Sequence, residues 1–267
     1  MGEEERSIHN LSLPKKAIDF FISEWGIERL HPPQFEAMGP LFNQHNILLA
    51  IPTASGKSLV AYIAILNQLL NHNPGSRAVY IVPLKALASE KFEELKEIGQ
   101  HLGLKIGLGI GDATSEAKNI DDSDILICTS EKLDSLMRSR SELMSNVSVV
   151  VADEFHLLHD ASRGPTLEIN LTRLRTLRPN AQLIALSATV GNCEILAKWL
   201  DATLVQSDWR PVDLEYATLH DRHLEPRKIQ SSSLDSSQNV LSPPRHLEGP
   251  LSHPAWIVVQ DTIEQGG

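Results

Sequence analysis

The chain has 267 residues, of which 42% are hydrophobic and 22% are charged, and its formal net charge is −10. These values are typical of a soluble globular protein that is long enough to bury a full core. The acidic balance excludes nucleic-acid binding through bulk charge, so any such binding must use a local groove of a few cations and backbone N–H groups.

Apolar periodicity predicts an alternation of helices and strands along most of the chain. Helices are predicted at 14–24, 33–43, 56–71, 85–100, 130–138, 166–174 and 192–200, with Ser130 as the cap of its helix. Strands are predicted at 46–51, 78–82, 104–110, 124–129, 147–152, 182–186, 203–206 and 212–219. This alternation indicates an α/β fold with a parallel sheet between helices, in which ligands bind at the carboxyl ends of the strands.

The same pattern suggests four segments. Residues 1–30 form a short N-terminal helical segment, and residues 31–220 form the α/β domain. Residues 221–254 include a Ser- and Pro-rich stretch and are interpreted as a linker or hairpin. Residues 255–267 resume an apolar pattern, as if a further domain begins there.

The cysteines and the N-terminal residues indicate the cellular compartment in which the protein is expected. Cys128 and Cys193 lie far apart in the sequence and match no metal-ligand spacing, and Cys128 lies in an apolar run typical of a buried strand. The acidic start, MGEEERSIHN, is no secretory signal. No apolar run approaches the roughly 20 residues of a membrane span. We therefore expect a reducing, cytoplasmic setting and no membrane partner.

The first chemical motif is a phosphate-binding loop between a strand and a helix. Small residues let successive N–H groups point at the phosphates of a nucleotide, and the helix start adds partial positive charge. Lys57 is placed to reach the β/γ oxygens, and the Ser58 hydroxyl to bind Mg²⁺. Ile51 stands where the strict pattern has Gly. The residues predicted to contact the nucleotide here are Pro52, Thr53, Ala54, Ser55, Gly56, Lys57 and Ser58.

The second motif is an acidic pair that follows the apolar run 147–152. Asp153 is predicted to hold Mg²⁺, and Glu154 to orient or deprotonate the attacking water. His156 is predicted to couple the nucleotide site to a later motif. The structural alternatives are a chance Gly-Lys-Ser in a surface turn, a polar loop after a strand and an ordinary surface histidine.

Together these motifs resemble the DExH helicases of superfamily II, which are P-loop NTPases with a RecA-like fold. Gln34 resembles the glutamine that reads the adenine edge in these enzymes. The segments 80–88, 129–132 and 187–189 resemble their motifs Ia, Ib and III, in family order. In motif III, Ser187 and Thr189 are the expected coupling residues, with simple satisfaction of the strand end as the alternative.

The particular residues within and around these motifs resemble those of the Ski-two-like branch, specifically archaeal DNA-repair helicases related to HELQ and to the helicase part of DNA polymerase theta. It rests on segments 83–91, 129–136, 163–168 and 209–212. It implies an ATP- and Mg²⁺-dependent 3′-to-5′ DNA helicase that acts on single-stranded or forked DNA at stalled replication forks. Backbone contacts are then expected from Pro83, Lys85, Ala86, Thr129, Ser130, Lys132 and Arg163, although a solvated lysine at a helix start is the plain alternative.

The resemblance also implies that arginines of a second RecA-like lobe complete the site, and this chain contains only the first lobe. The leading hypothesis is therefore the ATP-binding lobe of a DNA helicase, weak or inactive by itself. The alternatives are a module that binds ATP or single-stranded DNA without motor activity, and the lobe of an RNA helicase. An intact Lys57, Asp153 and Glu154 favour the enzyme, because a pure binder has no need of Glu154.

Overall fold

The structure is a computed structural model that describes residues 3–111, 117–118, 120–189, 191–211, 216–220, 223–227 and 245–246. Its contacts divide the chain into two compact units, Met1–Pro211 and Val212–Gly267. The predicted site residues all lie in the first unit.

The described part of the first unit alternates helices and strands, as the sequence predicts. Its α-helices are α1 (Lys15–Ser23), α2 (Pro32–Phe42), α3 (Lys57–Leu66), α4 (Lys85–Leu102), α5 (Ser130–Ser139), α6 (Gly164–Leu177) and α7 (Cys193–Leu200). Its strands are β1 (Asn46–Ala50), β2 (Arg77–Val82), β3 (Ile106–Gly109), β4 (Ala117–Lys118), β5 (Ile125–Thr129), β6 (Val147–Ala152), β7 (Gln182–Ser187) and β8 (Ala202–Gln206). A π-helical segment, Asn67–His72, prolongs α3, and a short 3₁₀ helix, Phe155–His159, follows the acidic pair.

The strands form one sheet in the order β4-β3-β5-β2-β6-β7-β1-β8. The pairings from β3 across to β8 are parallel, and β4 pairs antiparallel with β3 at one edge. The predicted α/β fold with a parallel sheet flanked by helices is therefore confirmed. The sequence analysis missed β4 because a two-residue strand carries no periodicity signal.

Both faces of the sheet are covered by helices. In β1, Ile47 and Leu49 belong to one hydrophobic cluster, whereas Leu48 and Ala50 belong to a second. Residues of α1–α4 complete the first cluster, and residues of α5–α7 complete the second. Burial on both faces explains why the strands are continuous apolar runs without polar alternation.

The cysteines lie within this core. Cys128 is fully buried in β5, as predicted, and burial raises the pKa of its thiol to about 12. Cys193 is also buried, and the two cysteines form no disulfide bond. Among the described residues, no helix is both long and apolar enough to cross a membrane.

The N-terminal segment packs into the first unit. Helix α1 packs against α4, and the rings of Phe20 and Phe21 contact Trp25 with centroids 5.2 and 5.6 Å away. After α1, Gly26 adopts φ 64°, which reverses the chain. Residues 1–30 therefore do not form a unit of their own, because their apolar side chains complete one face of the sheet.

The first unit ends earlier than residue 220, where the sequence analysis placed it. The strands β9 (Tyr216–His220), β10 (His223–Arg227) and β11 (Arg245–His246) form a separate antiparallel sheet in the order β11-β10-β9. Because β9 pairs with β10 and not with the parallel sheet, it belongs to the second unit. Both β10 and β11 fall within 221–254, and residues 255–267 lie outside the described residues.

Two helix starts differ from the prediction. Thr129, not Ser130, caps α5, because Thr129 keeps an extended backbone and its hydroxyl accepts from the Lys132 backbone N–H at 3.4 Å. Helix α3 begins at Lys57, with Gly56 as its cap in the left-handed conformation, φ 74° and ψ 32°.

Gly164 fixes how α6 meets the 3₁₀ helix that follows the acidic pair. A Cβ atom at Gly164 would lie 2.0 Å from the carbonyl oxygen of Leu158. The two backbones can approach this closely only where residue 164 has no side chain. This contact positions the chain after Glu154 against α6.

We expect Gly164→Ala to lower the free energy of unfolding by about 1–3 kcal/mol, because the Leu158 backbone must shift to admit the methyl group. Chemical denaturation measures this change. Gly191→Ala is the matched control, since a Cβ at Gly191 meets nothing within 4 Å, and its effect should stay within about 0.5 kcal/mol. Equal effects from the two variants would contradict the close contact.

Candidate nucleotide-binding and catalytic site

The predicted phosphate-binding loop joins the carboxyl end of β1 to the start of α3. Ala54 has φ 63° and Gly56 has φ 74°, so the loop turns through two left-handed positions. A Cβ at Gly56 would lie 2.3 Å from Gln34 Nε2, so a side chain there would displace the Gln34 amide, and the left-handed conformation itself favours glycine. Ala54 adopts a left-handed conformation although it carries a side chain.

Gln34, from α2, is bound to this loop. It is 2% exposed, its Nε2 donates to the Gly56 carbonyl at 2.9 Å, and its Oε1 accepts from the His31 backbone N–H at 2.7 Å. The loop is held on its other side by the segment after β8, where the Ser55 hydroxyl donates to the Trp209 carbonyl at 3.4 Å. The rings of His31 and Trp209 lie 4.5 Å apart. Gln34 thus joins α2 to the loop, and its reading of adenine stays a prediction.

Lys57 is a buried cation at the start of α3. Its side chain is 8% exposed, and Nζ donates to the Ile51 carbonyl at 3.3 Å. Burial lowers the pKa of Lys57, and the charges of Glu154 and Asp153 act in the opposite direction. The sheet therefore brings the predicted lysine and the predicted acidic pair into one electrostatic site.

Asp153 is held by donors on two sides. The Tyr80 hydroxyl donates to Oδ2 and the Glu154 backbone N–H donates to Oδ1, both at 2.8 Å. The backbone N–H of Asp153 donates to the Ile81 carbonyl at 2.9 Å, which extends the pairing of β6 with β2. Burial raises the pKa of Asp153, and the two hydrogen bonds oppose that shift.

Glu154 stands at a strained backbone position, φ 50° and ψ 42°, immediately before the 3₁₀ helix. Its Oε2 lies 3.3 Å from His156 Nδ1, and the Ala188 backbone N–H lies 3.4 Å from the same nitrogen. One ring nitrogen carries either a proton or a lone pair, so Nδ1 donates to Glu154 in one tautomer and accepts from Ala188 in the other. His156 thus lies between the acidic pair and the segment after β7.

Of the two predicted coupling residues in that segment, one is buried and one is exposed. Ser187 is fully buried at the end of β7, and its hydroxyl donates to the Ala188 carbonyl at 2.7 Å. Thr189 is exposed. The hydroxyl of Ser187 is therefore satisfied locally, and only Thr189 presents its side chain outward.

The oxygen donors near Lys57 fit Mg²⁺. Ser58 offers a half-buried hydroxyl one residue after Lys57, and Asp153 offers a carboxylate that is already oriented. In the described part of the chain, no three or more His, Cys, Asp or Glu gather into a metal-binding group. Mg²⁺ does not need such a group, because it keeps waters and shares the phosphates of a nucleotide.

Three of the predicted nucleic-acid contacts border the acidic pair. A narrow cavity of about 10 Å³ is lined by Pro83, Ser130 and Arg163 together with Asp153 and Glu154. They meet because β5, β2 and β6 are neighbours in the sheet and end at one edge. Residues far apart in the sequence are thereby placed beside the two carboxylates.

The other predicted contacts differ in exposure. Lys85 and Ala86 are exposed at the start of α4, and Lys132 is half-buried in the first turn of α5. Thr129 is 6% exposed, and its hydroxyl caps α5. A phosphate contact from Thr129 would therefore compete with the cap, whereas Lys85, Ala86 and Lys132 can be reached from outside.

The sequence analysis missed Tyr80 as a part of this site. A signal was present, since Tyr80 is the one residue of Arg77–Val82 that combines an aromatic ring with a hydroxyl, inside an otherwise apolar run. A buried hydroxyl needs a partner, and residues near a strand's carboxyl end can reach the site there. His31 and Trp209 were also missed, because their contact joins distant parts of the chain.

The fold and the arrangement of these residues define a helicase domain. The chain belongs to the DEAD/DEAH box helicases, since the model of that family matches residues 31–196. The match includes the loop, the acidic pair and the segment after β7.

Among known proteins, the chain is similar to archaeal DNA helicases. It is 42% identical to the ATP-dependent DNA helicase Hel308 of Methanocella arvoryzae over 97% of this chain and 33% of that protein. It is 50% identical to Hel308 of Thermococcus kodakarensis over 74% of this chain and 17% of that protein. The chain thus spans a third or less of these relatives.

A solved structure shares the fold. The crystal structure of the DUF1998 helicase MrfA bound to DNA matches with a TM-score of 0.64 and 25% identity, over 74% of this chain and 30% of that chain. The matched share corresponds to one part of a longer helicase.

We expect Lys57→Met to raise the free energy of unfolding by about 0.5–2 kcal/mol without nucleotide, because it removes a buried cation whose desolvation outweighs its attraction to the acidic pair. Chemical denaturation at neutral pH measures this change. Lys198→Met, at an exposed position of α7, is the matched control and should change stability little. A loss of stability in Lys57→Met would show that the attraction to the carboxylates dominates.

Proposed function

We propose that this chain is the ATP-binding lobe of an ATP-dependent DNA helicase that uses Mg²⁺ and acts on single-stranded or forked DNA. The observation that carries the proposal is the convergence of Lys57, Asp153 and Glu154 beside a glycine-capped helix start at one edge of the sheet. A binding module needs the lysine and the helix start, but it does not need a carboxylate placed to act on water.

Each residue has a proposed part in ATP hydrolysis. Lys57 and the N–H groups at the start of α3 bind the phosphates, and the Ser58 hydroxyl and Asp153 hold Mg²⁺, which neutralises developing charge on the phosphates when bound. Glu154 orients the attacking water and accepts its proton. His156, which contacts both Glu154 and the segment after β7, passes the state of the nucleotide to Ser187 and Thr189.

DNA is the favoured nucleic acid. The Hel308 relatives are DNA helicases by name, and MrfA was crystallised with DNA. The proposed contacts at the ends of β2 and β5 and at Arg163 suit a sugar-phosphate backbone and need no base reading. Movement in the 3′-to-5′ direction and a role in repair at stalled forks are proposed on the family resemblance alone.

A second RecA-like lobe is the proposed partner. Transition-state charge in this class of reaction is stabilised by an arginine that reaches across from another domain, and this contribution amounts to several orders of magnitude in rate. The relatives are about three times as long as this chain or longer, which leaves room for such a lobe. By itself, the chain is expected to bind nucleotide and to hydrolyse it slowly.

The decisive experiment measures ATP binding and hydrolysis by the chain, with and without single-stranded DNA. We expect ATP binding that Lys57→Ala weakens at least tenfold, because the phosphates lose their cation. Any DNA-stimulated turnover should disappear in Glu154→Gln while ATP binding persists. Binding without turnover would indicate a lobe that needs its partner, and failure to bind ATP at all would refute the proposed site.

Phosphate contacts are tested separately by single-stranded DNA binding at several salt concentrations. We expect Lys132→Ala to weaken binding and to reduce the slope of log K against log salt by about 0.7, the value for one contact to a single strand. Lys198→Ala, on an exposed position of α7, is the matched loss of one lysine and should leave the slope unchanged. Equal slopes for both variants would exclude Lys132 from the contact.

A further inference from the structure

A buried polar network extends from the proposed Mg²⁺ site to α4. It starts at Tyr80, whose side chain is fully buried in β2 and whose hydroxyl donates to Asp153 Oδ2 at 2.8 Å. Burial raises the pKa of Tyr80 well above its usual value, so the hydroxyl keeps its proton and acts as the donor. The direction of this hydrogen bond fixes one oxygen of Asp153 and leaves its lone pairs on the other side for further contacts.

Tyr62 continues the network from α3. It lies one helical turn after Ser58 in the sequence of α3. The rings of Tyr62 and Tyr80 have centroids 6.2 Å apart, so Tyr62 packs beside the tyrosine that donates to Asp153.

Glu94 and Lys91 carry the network into α4. The Tyr62 hydroxyl donates to Glu94 Oε2, and Lys91 Nζ lies 3.0 and 3.1 Å from the two carboxylate oxygens of Glu94. The side chain of Lys91 is 10% exposed and that of Glu94 is 34% exposed, so the lysine end of this ion pair is buried and the carboxylate end is half-buried. Lys91 is six residues beyond Lys85, a rise of about 9 Å along the helix.

We propose that Tyr80 is a positioning residue for Asp153, and that Tyr62, Glu94 and Lys91 extend this link to α4. The position of α4, whose start is a proposed DNA contact, then sets the orientation of Asp153. This inference rests on the proposed function. DNA bound at the start of α4 and Mg²⁺-nucleotide bound at the loop strengthen each other through this network, as linkage requires.

Packing alone does not explain the hydroxyls. A phenylalanine at position 80 would fill the same apolar space between the helices and the sheet, at no cost for burying a hydroxyl. A buried polar network is stable only while each member has a partner, which makes it rigid and specific in geometry. The hydroxyl of Tyr80 donates its hydrogen bond to the one carboxylate that is proposed to hold the metal ion.

The test is the affinity of the chain for a fluorescent ATP analogue, measured with Mg²⁺ and with EDTA. We expect Tyr80→Phe to weaken binding about tenfold with Mg²⁺ and less than twofold with EDTA, because only the Mg²⁺-dependent part of binding needs an oriented Asp153. Thermal unfolding of each variant reports whether the fold is intact.

Ser76→Ala is the matched control for Tyr80→Phe. Ser76 directly precedes β2, is 7% exposed and shares a 2.7 Å hydrogen bond with Ser148. Its loss therefore removes a buried hydroxyl next to the same strand without contact to Asp153. We expect Ser76→Ala to leave the ratio of the two affinities unchanged even where it lowers the melting temperature.

A second arm tests the link to α4. Glu94→Gln keeps the shape of the side chain and removes the nearer of the two carboxylate charges that Lys91 faces, while Glu90 remains at 3.4 Å. We expect single-stranded DNA to increase the affinity for Mg²⁺-nucleotide several-fold in the wild-type chain. In Glu94→Gln, the ratio of the affinities with and without DNA should fall towards one. The affinity of Glu94→Gln for DNA alone, or for Mg²⁺-nucleotide alone, should change by a smaller factor than this ratio.

The outcomes separate this inference from the proposed function. No nucleotide binding by the wild-type chain refutes the proposed function, and the inference falls with it. Nucleotide binding that is equally strong in wild type and Tyr80→Phe, or equally weakened with Mg²⁺ and with EDTA, overturns the positioning role alone. A DNA effect that persists in Glu94→Gln overturns the link to α4 and leaves the role of Tyr80 in place.

Discussion

The parallel sheet is buried on both faces, and this constraint governs where chemistry can occur in the first unit. Within the strands, the backbone groups pair along the ladder and the side chains are apolar, so a polar side chain there needs a buried partner. Polar groups therefore collect beyond the strand ends. At the carboxyl edge, the loop after β1, the acidic pair after β6 and the segment after β7 lie side by side, because these three strands are neighbours in the sheet.

Two strained backbone positions lie at the same edge. Ala54 and Glu154 adopt left-handed conformations with φ of 63° and 50°, which residues other than glycine rarely occupy. Such positions persist where the surroundings hold them, and here the loop is held by Gln34 and by the segment that contains Trp209. These contacts thus maintain a loop conformation that an isolated peptide would not keep.

The charges at this edge illustrate a balance between function and stability. A buried lysine pays for desolvation, and its attraction to two carboxylates offsets only a part of that cost. The carboxylate of Asp153 is likewise disfavoured by burial and is supported by Tyr80 and by a backbone N–H. Phosphates of a nucleotide would supply negative charge to Lys57 and a metal ion would supply positive charge to Asp153, and both would offset these costs.

The sequence by itself determined the order of helices and strands, the parallel sheet, and the residues Lys57, Asp153 and Glu154, because apolar runs and short motifs are local signals. Only the tertiary structure decided that Thr129 caps α5, that β9 belongs to the second unit, and that Tyr80 contacts Asp153. The residue types at 129 and 130 do not specify which of them has the extended backbone of a cap. Strand pairing and the partner of a tyrosine depend on residues that the fold brings close. Tyr80 and Asp153 are 73 positions apart in the sequence, and the pairing of β2 with β6 brings them together.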